Sequence, residues 1–428
     1  LTPFVYLSKV ENNAMIFRSN GPALPSRGLF RTLLVVLCGI GLGIFAQGCE
    51  AQAAPPFGHP YLTWQGDPCT TMTVTFQTAI PPKVVELRYD SASHAGKPDA
   101  YSGKVTGTAR QIEGLADRRS INSAELTGLK PGTRYYFVFQ GENGEFSKEY
   151  QLETVANDGR MVRFVDGGDV GEFPSVPGLF KSAVAQDPAF VTIGGDIAYE
   201  GGNLDDYATV DEWLALWMDT MVAPDGRLIP LVAVIGNHEV NHGSGTKEQR
   251  APFYYGYYPQ GGKSYFVRDF GPNLRFIALD SDHTVAHADQ AGWLREQLQA
   301  PTGRHRIASY HVPLFPSHRE FTGGDSEAGR RIWMPLFDEF HLSLGLEHHD
   351  HTFKRTKAMR NGEPDPAGTV YLGDGCMGQD PREVDTSRFY IEKAAQLRHF
   401  WVVDVDAEKV SCRAIGEDGK VFDECAVR

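Results

Sequence analysis

The 428 residues carry 41 basic against 54 acidic side chains, a formal net charge of −13. That balance argues against non-specific nucleic-acid binding, and 17 Tyr with 25 Phe exclude disorder over most of the chain. The length accommodates two or three domains with a large core. A phosphate substrate stays open, because bound metal ions reverse the local sign of a pocket.

The chain begins with a sorting signal. Arg27 and Arg31 precede an apolar run over 33–46, the length of a signal-peptide core and short for a spanning helix. Ala46-Gln47-Gly48-Cys49 follows and looks like a bacterial lipoprotein processing site, with Gln47 where a small residue is usual. Two outcomes stand open: membrane attachment through a lipid on Cys49, or ordinary signal cleavage nearby. Met15 stands ahead of the basic region, so 1–14 reads as an upstream extension and 1–50 as the leader. The mature protein is expected to be exported, to the periplasm, the medium or the cell envelope. Export permits disulfides among Cys69, Cys376, Cys412 and Cys425. Four cysteines allow three pairings, and the turn Gly416-Glu417-Asp418-Gly419 between the last two favours Cys412 with Cys425.

After an Ala/Pro linker, residues 57–156 read as a small β domain. Met72-Thr73-Val74-Thr75-Phe76-Gln77 alternates, and 84–89 does so more loosely. Tyr61-Leu62-Thr63-Trp64 would open the same sandwich with Trp64 in its core. The segment is expected to be a packing module without chemistry of its own. From about residue 160 strands alternate with helices, and this second domain is expected to run to 428. Strands are expected at 162–165, 190–193, 231–235, 274–279, 306–310 and 371–372, with a hairpin over 400–421. Helices are expected at 178–186, 211–221, 288–299 and 327–340. The alternation implies a sheet layered with helices. The Tyr- and Gly-rich stretch 253–262 reads as a loop able to shape a pocket.

Five motifs follow predicted strand ends, where they can converge on one sheet edge. They are Gly168-Asp169-Val170-Gly171, Gly195-Asp196-Ile197-Ala198-Tyr199, Gly236-Asn237-His238-Glu239, His311, and His348-His349-Asp350-His351. Glycines at these ends let the chain turn sharply without side-chain bulk. A carboxylate can bridge two ions, and a deprotonated tyrosine is a hard donor for a trivalent one. Mixed carboxylate, amide, imidazole and phenol donors suit a dinuclear iron, zinc or manganese site.

The order GDxG, GDxxY, GNHE, a lone His and HxH resembles the purple acid phosphatases within the calcineurin-like metallophosphoesterases, over about residues 160–405. Ser264-Tyr265-Phe266-Val267-Arg268-Asp269-Phe270-Gly271 and Phe276-Ile277-Ala278-Leu279-Asp280-Ser281 fit that family too. The Leu129-Lys130-Pro131-Gly132-Thr133 corner and the tyrosine-rich stretch after it look like a fibronectin type III strand pair, similar to the family's amino-terminal domain. The implied fold class is α/β: a fibronectin III-like β sandwich followed by a layered α-β-β-α metallophosphoesterase domain.

By position, the resemblance assigns Asp169, Tyr199 and His351 to one metal and Asn237, His311 and His349 to the other, with Asp196 bridging. The ions implied are Fe(III) with Fe(II), Zn(II) or Mn(II). Gly171 stands where common metallophosphoesterases carry a ligand histidine, and Tyr199 goes with a tyrosinate-bound iron. His348 replaces the glycine that usually opens the fifth motif, and Ala308 stands where the fourth usually has Val; a displaced, non-ligating side chain is expected at 348. Of the catalytic assignments, His238 would face the substrate, Glu239 would orient it, and His318 resembles the histidines that follow the fourth motif.

The implied reaction is hydrolysis of small phosphate monoesters, in which hydroxide supplied by the metals attacks phosphorus in line with the leaving alkoxide. A phosphodiesterase or nucleotide-cleaving enzyme shares the same ligands. A non-catalytic surface-binding protein that keeps its metals for structure is the competitor of another class, and His238 beside a full ligand set argues against it. The oligomeric state stays open.

Overall fold

The computed structural model describes residues 58–301 and 303–427. The expected leader, the lipidation candidate Cys49 and the export signal lie outside the described residues. No helix among the described residues is long and apolar enough to cross a membrane.

The amino-terminal part is a sandwich of two four-stranded antiparallel sheets. One runs in the order Pro60–Thr63, Met72–Thr78, Ser120–Leu126, Thr108–Arg110, the other Gly103–Thr106, Glu86–Asp90, Arg134–Phe139, Tyr150–Glu153. Alternation along Met72–Thr78 sends Met72, Val74 and Phe76 into the core, where Phe76 stacks on Phe139 at 4.1 Å. The opposite face of that strand is also buried, since Thr73, Thr75 and Gln77 lie under the rest of the chain.

The larger part is built on two further sheets. The first has the order Leu231–Val234, Phe190–Gly194, Val162–Gly167, His399–Val405, Val410–Gly416, Val421–Val427. Its first three strands are parallel and its last three antiparallel. The second has the order Phe266–Phe270, Leu274–Ala278, His305–Ser309, Leu344–Leu346, Val370–Gly373, Phe353–Thr356, Ile391–Ala395. Phe164, Phe190, Phe276 and Ile307 pack between the sheets. Their alternate neighbours point outward: Val165, Val191 and Ile193 to Val176–Val184 and Tyr207–Thr220, Ile277 and Ala308 to His287–Gln299 and Met334–Glu339. Parallel strands covered on both faces read as continuous apolar runs for this reason. The result is a helix–sheet–sheet–helix stack.

Four expectations change in detail. The 327–340 helix is two, Gly324–Ile332 and Met334–Glu339, because Pro335 has no amide hydrogen for a continuous ladder. The carboxyl-terminal hairpin is a three-stranded meander, with Cys412 opposite Cys425 in register. All four described cysteines are free thiols. The stretch read as a pocket loop is largely the helix Pro252–Tyr257, every residue of it buried. Its hydroxyls and carbonyls take partners from both parts of the chain: Tyr257 Oη donates to Gln77 Oε1 at 2.9 Å, Tyr61 Oη donates to the Tyr257 carbonyl at 2.6 Å, and Tyr254 Oη donates to the Ala233 carbonyl at 3.0 Å. Buried tyrosines need such partners, so Tyr254 and Tyr257 are structural, while Tyr255 and Gly256 help to line a surface cavity together with Arg110, Ile112 and Gln249.

Candidate metal centre

Parallel register brings the strand ends level. Ile193 pairs with Gly167 and Gly194 with Val234 in one sheet, and Ala278 with Ser309 and Ser309 with Leu346 in the other. The motif after each strand therefore leaves from the same edge, where ligand sites of open α/β sheets lie.

Asp169, Asp196, His311 and His349 bring ligand atoms within 4.8 Å of one another. Tyr199 Oη lies 3.3 Å from Asp169 Oδ1 and 3.3 Å from His351 Nε2, and His351 Nε2 lies 2.9 Å from Asp169 Oδ1. Asn237 Oδ1 lies 3.0 Å from His311 Nε2. All seven sequence-assigned donors thus meet in one place. Five of them, Asp169, Asp196, Tyr199, His349 and His351, have positive φ, between 52° and 75°. That region costs a non-glycine residue on the order of 1 kcal/mol or more, so the fold holds these side chains against local preference.

Donor chemistry tests whether cations fit here. His311 Nδ1 donates to the Gly194 carbonyl at 2.9 Å, which leaves Nε2 as a lone pair. That lone pair faces Asn237 Oδ1, Asp196 Oδ1 at 3.3 Å and His349 Nδ1 at 3.0 Å. Acceptors crowded this way repel one another unless a positive charge sits among them. Asp196 Oδ2 is buried and has no hydrogen-bond partner, a state that protein interiors avoid. Burial works against a charge on His311, yet Asp196 and Asp169 push its pKa up to about 9, so with no ion present the ring itself would take a proton at Nε2, the point where the local field calls for a cation. Burial and then the neighbouring His311 hold His349 far below the usual imidazole range, as a neutral ligand must be. The donor set fits two metal ions.

His238 lies beside this cluster with its side chain 46% exposed. Its amide donates to Asp196 Oδ1 at 2.8 Å, its Nε2 stands 3.9 Å from Asp196 Oδ2, and its ring lies 4.5 Å from that of Tyr199. Glu239 does not orient His238. Its buried carboxylate accepts the amides of Gly236 (2.6 Å), Asp196 (2.9 Å) and Ile197 (2.6 Å), so it locks the second motif to the third. The physical reason is that three backbone N–H groups at the loop crossing need an acceptor. His318 is exposed, its Nδ1 donating to the Glu383 carbonyl at 2.8 Å.

His348 is buried below the centre. Its Nδ1 donates to the Tyr310 carbonyl at 3.0 Å and its Nε2 lies 3.4 Å from Asp166 Oδ2. A Cβ at Gly168 or Gly194 would overlap its ring. The room lost by having histidine at 348 is returned by glycine at those two positions. The paired glycines of the first two motifs were the sequence signal for this arrangement; Asp166 carried none.

Two arginines were missed. Arg319 Nη2 donates to the His349 carbonyl at 3.2 Å, and Arg382 Nη1 reaches the same oxygen at 3.5 Å. Arg319 follows His318 in sequence, but nothing in the sequence pattern ties Arg382 to the fifth motif. Asp350 orders the loop beneath them, with Oδ2 accepting the Ser317 and His318 amides at 2.7 Å.

Comparison with known proteins agrees with this geometry. Residues 58–154 match the family of purple acid phosphatase N-terminal domains, and residues 166–353 match the calcineurin-like phosphoesterases. The chain thus joins a calcineurin-like phosphoesterase domain to an amino-terminal domain of the kind that purple acid phosphatases carry. It is 24% identical over 319 residues to purple acid phosphatase 15 of Arabidopsis thaliana, covering 67% of this chain and 59% of that protein. It is 25% identical over 398 residues to the uncharacterized protein Rv2577 of Mycobacterium tuberculosis, covering 81% of this chain and 69% of that one. The chain therefore spans between about three fifths and seven tenths of these relatives. Its fold is similar to that of purple acid phosphatase PPD1 from yellow lupin seeds, with a TM-score of 0.73 at 18% identity over 86% of this chain and 73% of that one. It is also similar to PhoD, with a TM-score of 0.62 at 14% identity over 87% and 88%.

Proposed function

We propose that the chain hydrolyses phosphate monoesters at a pair of metal ions, outside the cytoplasm, as an acid phosphatase. Asp169, Tyr199 and His351 would hold one ion, Asn237, His311 and His349 the other, and Asp196 both. The observation that carries the reading is the crowding of acceptor atoms around His311 Nε2 and the unpartnered Asp196 Oδ2. Such ions, when bound, supply an acidified water and neutralise charge on phosphoryl oxygens. The chain's own groups would do the rest. His238, anchored through its amide but with a free ring, would donate a proton or hydrogen bond to the leaving oxygen. Arg319 and Arg382 would draw in an anion, and a dianionic monoester more than a singly charged diester.

The test is turnover of p-nitrophenyl phosphate against bis(p-nitrophenyl) phosphate by metal-loaded protein. Faster cleavage of the monoester is expected. Faster cleavage of the diester would move the assignment to a phosphodiesterase, and no turnover with two ions bound would make the centre structural.

The arginines give an independent prediction. Alanine at both 319 and 382 is expected to raise KM for the monoester by roughly 10-fold, the worth of a charged hydrogen bond, and to leave kcat and diester KM nearly unchanged. An equal effect on both substrates would assign the pair to loop structure alone.

Iron is assigned through Tyr199. Burial, then Asp169 and Asp196, push its phenol far above the ordinary range, so a tyrosinate forms only if a strongly charged ion offsets them. Protein loaded with iron under oxidising conditions should absorb in the visible and look pink to purple. Tyr199→Phe should remove that band without loss of fold. A colourless, fully active zinc or manganese protein would sink the ferric assignment and leave the dimetal reading in place.

A further inference from the structure

We propose that Asp282, His287 and Asp325 hold a further divalent cation of the zinc or manganese class, separate from the pair at Asp196. Asp282 lies in the loop after Leu274–Ala278, His287 opens the helix His287–Gln299, and Asp325 lies in the first turn of Gly324–Ile332. One ligand atom from each falls within 4.8 Å of the other two.

His287 is what separates this trio from a solvated acidic pair. It is 3% exposed, packed with its ring 4.3 Å from that of Trp333, and neither ring nitrogen has a hydrogen-bond partner among the described residues. The ring is packed while its nitrogens are not sealed off from solvent, so a ligand atom stays open within reach of the two carboxylates. Burial keeps the imidazole below its usual pKa, so it presents a lone pair. Among the described residues neither Asp282 nor Asp325 has a lysine or arginine partner or a side-chain hydrogen bond, and after burial it is Asp282 that raises the Asp325 carboxyl. Two unbalanced carboxylates facing one neutral imidazole form a donor set with a net charge that a divalent ion cancels. Nearby Asp280 is not available, since its carboxylate already accepts the Thr284 hydroxyl and the amides of His283, Thr284 and Val285.

One nitrogen with two carboxylate oxygens suits zinc or manganese, whereas calcium takes oxygen alone. Donors around one zinc lie about 3.4 Å apart, so the aspartates would close in on a histidine fixed by Trp333. The ion would fasten two helix starts to the 280–285 loop, whose His283 ring lies 5.6 Å from that of His311.

The experiment counts zinc. Full-length mature protein and its Asp282→Asn/Asp325→Asn variant are stripped with chelator, loaded with Zn(II), desalted, and analysed by plasma mass spectrometry. The wild type is expected to retain one ion more per chain than the variant, with His287→Gln behaving as the variant does. Equal counts in wild type and the aspartate variant overturn the proposal, whatever the total. Asp282 is exposed and Asp325 partly so, and asparagine matches aspartate in size, so that variant keeps its fold, and the difference is independent of how many ions the Asp196 centre takes.

Discussion

Replacing His238 by alanine is expected to lower kcat by roughly 10²–10⁴-fold, the range for loss of a positioned acid or hydrogen-bond donor, while bound metal stays nearly constant. The geometry sets both halves of this result. The Asp196 carboxylate is held by the backbone amide of His238, not by its ring, and alanine keeps that amide. The ring itself is half-exposed, with Nε2 beyond hydrogen-bond distance of Asp196 Oδ2, so its removal opens no buried gap. Metal content by plasma spectrometry and steady-state kinetics on the same sample check it. Loss of metal with an unchanged rate per loaded site would make His238 a ligand-positioning group instead.

The second large effect is on stability. Lys354 is wholly buried, and its ammonium donates to the Phe315 carbonyl, Glu347 and Asp374. Glu347 Oε1 in turn accepts Tyr310 Oη at 2.8 Å and the Leu314 amide at 2.7 Å. The cluster ties the strand before His311 to the strand before His349. Burial opposes the charge on Lys354, but Asp374 and Glu347 more than restore it. Lys354→Met keeps most of the volume and removes the ammonium that pairs with both buried acids. Removing one partner of a buried pair costs roughly 3–5 kcal/mol, a fall in Tm on the order of 10 °C for a domain of this size. Thermal unfolding with loaded metal measures it, and a shift of a degree or two would mean that the acids protonate without strain.

Much of the centre was legible because short motifs at strand ends need no tertiary knowledge. Asp169, Asp196, Asn237 and His311 each follow an apolar run, and a run that ends in Gly-Asp or Gly-Asn marks where a buried strand meets a turn. Residues acting from a distance in sequence left no such mark. Arg382 reaches the His349 carbonyl from a loop without regular pattern, and Asp166 sits within a strand, where its pairing with His348 is invisible before folding. Glu239 was visible but misread, because adjacency to His238 suggested a side-chain contact where the fold turns the carboxylate to the backbone. The run of aromatics at 253–258 was legible only in part, for a related reason. Tyrosine suits both pocket walls and buried helices with polar anchors, and this stretch does both: Gln77 and Tyr61, far off in the chain, anchor Tyr257, while Tyr255 lines a cavity.

The two family segments look like separable cassettes, yet Trp64 of the first meets Phe190 and Phe270 of the second edge-on, at 6.1 and 5.3 Å. Arg268 closes the seam by donating to the Trp64 carbonyl at 2.7 Å. Neither segment therefore owns a complete interior. Cutting the chain between the two segments would expose that shared wall of aromatic rings to water, so each piece alone is expected to be less stable than the whole.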